Sequence, residues 1–412
     1  MEAPIRILFI CHDGDLYGSQ QSLNLMVRNL PAGSYQCFVS IARPGPLQRL
    51  LQEYPNTIVL RHKRLQWVKH DFRSGLQRIG DVLNLFLTAV PRTLYLLSTI
   101  YREKINLVHT NSSVSPEGAI AAALAGIPHV WHIRELFMEK SPKFHLVLGR
   151  RFTRWFIDRF SDQVLCISGV VLRQFGHYLE LDPDKYLLLP NALELPPQPD
   201  YFPVNDPQRA IMRALSLKVL GLPDNKAFRI GYIGRLSEGK GFHELLEAFA
   251  ILRRRNVNVE LLVAGNFVDE PYKARIEEAV QETCLRYSVR FLGYREDLKP
   301  LYEALDVLVV PSRNEPFGRV VIEAAANGVP CIATNSGGIP EIIDSGETGL
   351  LYEPGDVYAL AGLIDELMSA FWKLETIRQN ALRMVYERFN IVMQIRILGE
   401  CYQSIIARHR LL

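Results

Sequence analysis

The sequence lacks any pair of cysteines at C-x-x-C spacing. Its six cysteines, Cys11, Cys37, Cys166, Cys284, Cys331 and Cys401, are scattered along 412 residues. That argues against a metal cluster or disulfide frame and for reduced thiols in a cytosolic protein. Charge of one sign is also missing. The 47 Lys and Arg nearly balance the 44 Asp and Glu, for a net of +3, which disfavours a dedicated nucleic-acid binder. No apolar run makes a clean membrane span. The most hydrophobic one, VLNLFLTAVPRTLYLLSTIY at 82–101, is interrupted by Pro91 and Arg92. The opening MEAPIRILFICHDGD has a short apolar run followed at once by Asp13 and Asp15, unlike a signal peptide. No segment is of low complexity. The expectation is a soluble cytoplasmic protein that touches a membrane, if at all, peripherally at its inner face.

With 48% hydrophobic and 22% charged residues, the chain is globular and long enough for two domains. β-like runs alternate with helical ones in the first half: IRILFI, YQCFVSIA, LVHT, HVWHI and QVLCIS. The alternation fades through LPNALELPPQPDYFPVNDPQ, residues 189–208, whose six prolines suggest a linker. It restarts with FRIGYI, VELLVAG, VRFLGY, VLVVPS, PCIATN and GLLY. Such alternation predicts an α/β fold of two Rossmann-like halves, each a parallel sheet covered on both faces. The expected boundaries are 1–192 and 193–392, with a helix over 393–412 packing back toward the N-terminal domain. Facing each other, the halves would enclose a cleft ringed by strand carboxyl ends, where ligands of open α/β sheets sit. Neither half has G-x-G-x-x-G after its first strand, which disfavours a nicotinamide dehydrogenase.

Three segments carry chemistry. In RIGYIGRLSEGKGFHELLEAF, residues 229–249, Gly234 to Lys240 has the G-x-x-x-x-G-K spacing of a P-loop. Gly241 stands where that loop needs Ser or Thr for Mg²⁺. A strand, glycine-rich turn and helix still gather backbone N–H groups and a positive helix end at one point. Arg235 and Lys240 add two cations; the alternative is an ordinary glycine turn with solvated charges. In HDGDLYGSQQSLNL, Gly18 opens a helix where backbone could approach an anion. Asp13 and Asp15 form a D-x-D, a weak metal signal because such carboxylates are usually solvated or capping. In NEPFGRVVIEAAANGVPCIATNSGGIPEII, Glu315 lies in a loop and Glu323 two turns along the following helix. Pro316 suits its first turn, which leaves the N–H groups of Gly318, Arg319 and Val320 without intrahelical partners. Two carboxylates there could hold two sets of sugar hydroxyls with a phosphate between them, or be an acidic pair on a surface helix.

Taken together, GYIGRLSEGKG, FLGYREDLKPLYEALDVLVVPSRNEPFGRVVIEAAANGVPCIATNSGGIPEIIDSGETGLLYEPGD and LPNALE resemble the GT-B glycosyltransferases of family 4. The likeness is dense over 228–356 and thinner before it, where LYGSQQSLNLMVRNL resembles the family's first turn and helix. It implies two Rossmann-like domains facing across a cleft, and a nucleotide-diphosphate sugar as co-substrate. Arg235 and Lys240 would bind the diphosphate in place of a metal ion, so no cofactor is expected. Glu323 would hold the ribose and Glu315 the donor sugar. Gly318, Arg319 and Val320 would offer backbone N–H groups, Gly18 would approach the diphosphate, and YRED at 294–297 would border the base. His132 matches the family's active-site histidine, which contacts the donor sugar. The family's usual next residue is Asp, whereas here Ile133, Arg134 and Glu135 follow. Retention of anomeric configuration, a hexosyltransferase reaction and a place in cell-envelope polysaccharide synthesis are also implied.

The acceptor, a glycan or lipid-linked molecule, would sit on the N-terminal half. Two basic stretches lie there: 61–78, and 140–159 with Lys140, Lys143, Arg150, Arg151, Arg154 and Arg159 against Asp158. They read either as a solvated basic face or as contact with anionic lipid. The alternative functions are an epimerase-like enzyme using nucleotide-sugar without transfer, or a catalytically silent binding member. A phosphorylase would need a lysine set for pyridoxal phosphate, and none stands out.

Overall fold

The computed structural model describes residues 3–61, 68–69, 75–137, 145–176, 181–197, 207–255, 257–282 and 285–410. The chain divides into two compact units, Met1–Glu194 with Ile391–Leu412, and Leu195–Asn390.

The strands of the first unit are β1 (Ile5–Cys11), β2 (Tyr35–Ile41), β3 (Thr57–Arg61), β4 (Val68–Lys69), β5 (Leu107–Thr110), β6 (His129–Ile133), β7 (His145–Leu146), β8 (Gln163–Cys166) and β9 (Tyr186–Leu188). One parallel sheet runs in the order β3-β2-β1-β5-β6-β8-β9, and β4 pairs antiparallel with β7. Alternate side chains of β1 feed opposite faces. Ile7, Phe9 and Cys11 meet Leu23, Met26 and Val27, with Leu398, Tyr402 and Ile405 of the last helix, Ile391–Arg410. Leu8 and Ile10 meet Leu96, Ile100, Ala121 and Ala122 on the other face. The last helix is joined to the unit at its start, where Ile391 N donates to Leu193 O at 2.9 Å.

The second unit holds β10 (Phe228–Ile233), β11 (Val259–Ala264), β12 (Val289–Gly293), β13 (Val307–Val310), β14 (Cys331–Thr334) and β15 (Leu350–Tyr352). They form a parallel sheet in the order β12-β11-β10-β13-β14-β15. The order reverses at β10 and β13. Loops leaving such a pair diverge and open a crevice at the strand carboxyl ends. In the first unit β1 and β5 stand in the same relation.

Two features depart from the sequence reading. Leu189, Asn191 and Ala192, expected in a linker, are 1, 6 and 4% exposed and belong to the first unit's core. The proline-rich stretch also ends in a helix, Pro207–Val219. Pro207 opens it because a first helical residue needs no N–H partner.

Three histidines are buried in the first unit. His109 and His132 have no exposed surface and His129 is 2% exposed. Burial, then Arg134 and His129, hold His109 well below its usual range. Burial, then Arg134 and His109, do the same for His132 against a weaker opposing hydrogen bond with the Leu189 backbone. Burial brings His129 down to about 3. All three are neutral in the fold at pH 7. Below 6.5, their ordinary value, the unfolded chain takes up protons that the fold refuses. Stability is therefore complete above 6.5 and is lost as the pH falls toward the folded values. Each histidine contributes up to about 1.4 kcal/mol per pH unit. The thermal midpoint should drop between about pH 7 and pH 5, before most carboxylates titrate; a flat midpoint over that span would contradict these environments.

Candidate functional site

The second unit builds its site from the loops after β10, β13 and β14. After β10, Gly234 turns the chain with φ 152°, and Tyr232 Oη donates to Arg235 O at 2.8 Å. Arg235 is exposed. A short 3-10 turn, Glu238–Lys240, follows, and Gly241 (φ 68°, ψ 16°) leads into the helix Phe242–Arg254. A Cβ at Gly241 would overlap the carbonyl oxygen of Pro311, so the turn sits directly on the loop after β13. Arg313 N donates to Gly239 O at 3.1 Å across the same seam.

That seam puts Lys240 Nζ 2.5 Å from Glu315 Oε2, across 75 residues of sequence. The side chains are 28% and 16% exposed. Glu315 is fixed from its other side by the loop after β14. Gly338 N donates to Glu315 O at 2.8 Å, and Cβ atoms at Gly337 and Gly338 would strike the backbone of Glu315 and Pro316. Tyr232 lies close enough to feel Glu315 and Arg235. Burial raises its pKa first, then Tyr272 and Glu315, while Arg235 opposes.

The helix after β13 is Arg319–Ala326. The sequence places Pro316 in its first turn; the structure does not. Gly318 takes φ 104° and ψ 48°, a left-handed bend that leaves Pro316 and Phe317 in the loop. Phe317 anchors there against Phe389, ring centroids 5.8 Å apart. Gly318 is thus the cap, and Arg319 and Val320 supply first-turn N–H groups at the positive helix end. Glu323 is about one turn in rather than two. Its Oε1 is 2.6 Å from Arg319 Nε, and its Oε2 accepts from Tyr302 Oη at 3.3 Å. Burial, then Glu323, hold the Tyr302 hydroxyl well above its usual range. The sequence assigns Arg319 only a backbone role and leaves Tyr302 unmarked; the i,i+4 spacing of Arg319 and Glu323 on one helix signals the first pair, and nothing in the chain signals the second. The YRED segment follows β12 at the same end of the sheet, with Tyr294 59% exposed.

A further link was also unmarked. Glu244, only 3% exposed, accepts from Arg313 Nε at 2.7 Å and from Gly355 N at 3.0 Å. It ties the helix Phe242–Arg254 to the loop that carries Glu315.

Gly18 and His132 belong to the first unit. Gly18 is exposed and begins the helix Gly18–Asn29, with no side-chain cap at Tyr17. Asp13, half of the D-x-D, accepts from Gly14 N at 2.8 Å. Among the described residues no group of three or more His, Cys, Asp or Glu side chains is placed to hold a metal ion. His132 departs from its expected place. It lies wholly inside the unit, with Nδ1 3.2 Å from Arg134 Nη2, so it offers no surface to a sugar in this conformation. Its ring lies 5.5 Å from that of His109, whose Nδ1 is 2.6 Å from Tyr402 Oη of the last helix.

Arg134 is held by Asn111 Oδ1 at 2.9 Å and Asn191 Oδ1 at 2.6 Å. Ser22 Oγ is 2.9 Å from both Asn191 Oδ1 and Gly18 O. Asn191 is the asparagine of LPNALE, so that motif fastens the start of the first helix to the end of β6. Glu135 accepts from Ser112 Oγ at 2.6 Å and from Ser113 N and Oγ at 2.9 Å.

Residues 217–384 match the family model described as Glycosyl transferases group 1, and residues 18–195 match that described as Glycosyltransferase Family 4. The capsular polysaccharide biosynthesis glycosyltransferase CapM of Staphylococcus aureus is 34% identical over 171 residues, 40% of this chain and 43% of that protein. The D-inositol 3-phosphate glycosyltransferase of Corynebacterium glutamicum (strain R) is 33% identical over 293 residues, 66% of each chain. The chain spans about two fifths of the length of the first curated relatives it matches. The crystal structure of Anabaena Alr3699/HepE in complex with UDP-glucose shares the fold at TM-score 0.76. It covers 97% of this chain and 100% of that one at 22% identity.

Two glycine positions of the site separate backbone constraint from mere flexibility. Gly241→Ala forces a left-handed residue onto a carbonyl and should destabilise the second unit by about 2 kcal/mol or more. Gly239→Ala, where a Cβ meets nothing within 4 Å, should shift stability by under about 0.5 kcal/mol. Urea unfolding of the two variants measures the contrast; equal losses would contradict the packing assigned to Gly241.

Proposed function

The chain belongs to the GT-B glycosyltransferases of family 4, and from that premise we propose that it moves a sugar from a nucleotide-diphosphate sugar to a glycan or lipid-linked acceptor. The transfer keeps the anomeric configuration and uses no metal ion. The observation that carries this reading is the Lys240–Glu315 pair, set at the β10–β13 crevice by two motifs that are distant in sequence.

Within the pair each charge neutralises the other. An incoming diphosphate competes for the Lys240 ammonium, and Arg235 of the same loop adds a second cation. Together they stabilise the charge that develops on the leaving diphosphate, the task a divalent cation would otherwise perform. Glu315, released from Lys240, faces the sugar, where positive charge grows at the anomeric carbon during a front-face departure. The first-turn N–H groups of Arg319 and Val320, with Gly318 at the cap, hold sugar or phosphate oxygens. Glu323 holds the ribose hydroxyls. Arg319 and Tyr302 orient its carboxylate and leave lone pairs for them. In the first unit Gly18 approaches the diphosphate. We assign His132 the support of Arg134 rather than contact with sugar, because it is fully buried.

HepE is described in complex with UDP-glucose, and CapM as acting in capsular polysaccharide biosynthesis. They make UDP the first nucleotide to test and cell-envelope polysaccharide the first acceptor class, handled in the cytoplasm or at the inner face of the membrane.

A thermal-shift panel of UDP-, GDP- and ADP-sugars, followed by turnover with the best donor, tests the proposal. One donor should stabilise the protein, be consumed, and yield product of unchanged anomeric configuration by NMR. Turnover should survive EDTA, and Glu315→Gln should lower kcat more than it raises KM. Binding without turnover would instead mark a silent member. Epimerised donor without acceptor product would mark an epimerase-like enzyme. Loss of activity on chelation would overturn the role given to Arg235 and Lys240.

A further inference from the structure

One face of the helix Gly75–Arg102 is apolar and uncovered within the first unit. Leu83, Phe86, Leu87, Val90, Leu94 and Tyr101 are each 56–75% exposed. Their spacing draws a stripe along one side of the helix, about 27 Å from end to end at 1.5 Å per residue. On the opposite side Leu96 and Ile100 are buried with Ala121 and Ala122 of the helix Glu117–Ala125. Residues Gly80–Arg102 are long and apolar enough to cross a membrane, yet that packing holds the helix along the unit's surface.

A second helix, Arg150–Arg159, follows the same pattern on a smaller scale. Phe152 and Trp155 are 38 and 53% exposed, beside exposed Arg150, Arg151 and Arg154. Its one acid, Asp158, is engaged by Lys185 at 3.2 Å and Tyr186 at 2.7 Å. The antiparallel pairing of β4 with β7 joins the chain just before one helix to the chain just before the other. Along residues 80–102 the sole acid, Asp81, is 5% exposed. The expected basic stretch at 61–78 falls largely outside the described residues, as do Lys140 and Lys143.

We propose that these two helices form a membrane-docking surface. The apolar stripe of the long helix lies in the interface of an anionic phospholipid bilayer. Phe152 and Trp155 sit at headgroup depth, and Arg150, Arg151 and Arg154 meet lipid phosphates. The chemistry favours lipid over a second copy of the chain. An interfacial helix needs a buried apolar stripe, an amphipathic aromatic and cations for phosphate, all of which this surface supplies. A copy related by a two-fold axis would bring arginine against arginine, and the one acid of the helix, Asp158, is already engaged by Lys185 and Tyr186. The inference deepens the proposed membrane-side acceptor, and it rests on that reading only for its purpose, since docking is measured without sugar.

Flotation of the full chain with phosphatidylglycerol/phosphatidylcholine vesicles, and with phosphatidylcholine alone, tests it. The protein should bind the anionic vesicles at low salt, release them as salt rises, and bind the neutral ones weakly. Brominated lipid should quench fluorescence in the native chain and lose most of that effect in Trp155→Phe. The double variant Leu87→Glu, Val90→Glu should lose at least tenfold in partitioning. Replacing Arg150, Arg151 and Arg154 by Gln should lose roughly 100-fold. All these positions are exposed, so an unchanged thermal midpoint serves as the folding control. Absence of binding to anionic vesicles at low salt, or binding indifferent to both variants, would overturn the proposal. A dimer in sedimentation that the Leu87/Val90 variant dissociates, without vesicle binding, would give the face to a second copy. Transfer to a soluble acceptor without vesicle binding would sink the docking surface and leave the proposed function standing. Vesicle binding with no donor turned over would do the reverse.

Discussion

The contact between the Gly241 backbone and the Pro311 carbonyl sets the geometry of the second unit's site. No side chain fits there, and the left-handed backbone at Gly241 is one that glycine alone adopts without cost. The contact seats the turn after β10 on the loop after β13, and Gly337 and Gly338 seat the loop after β14 on the same backbone. Lys240 and Glu315 therefore meet because three strand-end loops are locked by main chain. Long side chains alone would spend conformational entropy to find one another. A site held in this way can exchange one partner of an ion pair for a ligand without collapsing.

The two units present different electrostatics at their strand ends. The second carries partly exposed pairs, Lys240 with Glu315 and Arg319 with Glu323, suited to trading a carboxylate for a phosphate. In the first, the Arg134 guanidinium is buried among the side-chain oxygens of Asn111 and Asn191, beside histidines kept neutral by burial. Buried charge is tolerated only where hydrogen bonds replace water. The Asn191 of LPNALE has that structural task, since it also meets Ser22 near the start of the first helix.

Much of this was legible in the sequence. The central strands are continuous apolar runs because both their faces are covered, and the alternation with helices marked the two sheets. The edge strands β3 and β9 were not marked: they are partly exposed and carry no such run. The helix Pro207–Val219 was hidden by the prolines before it. At the site, the glycine-rich loop and the two glutamates were legible as motifs, whereas their partners were not. Spacing along a chain does not say that Lys240 lies against Glu315, or that Tyr302 reaches Glu323, although Arg319 four residues before Glu323 on one helix does signal that pair. Nor does a histidine at a strand end show which face it takes; His132 points into the core among His109 and Arg134, where only the packed sheet reveals it. Pro316 misled because the left-handed Gly318 delays the helix by three residues.

The central claim is that Lys240 exchanges Glu315 for the diphosphate of a nucleotide. Calorimetric titration of the native chain and of Lys240→Met, with the nucleoside diphosphate of the preferred donor and with its monophosphate, tests this directly. The account predicts that the variant loses roughly 10- to 100-fold in affinity for the diphosphate and little for the monophosphate. Equal losses for both, or none for either, would contradict it.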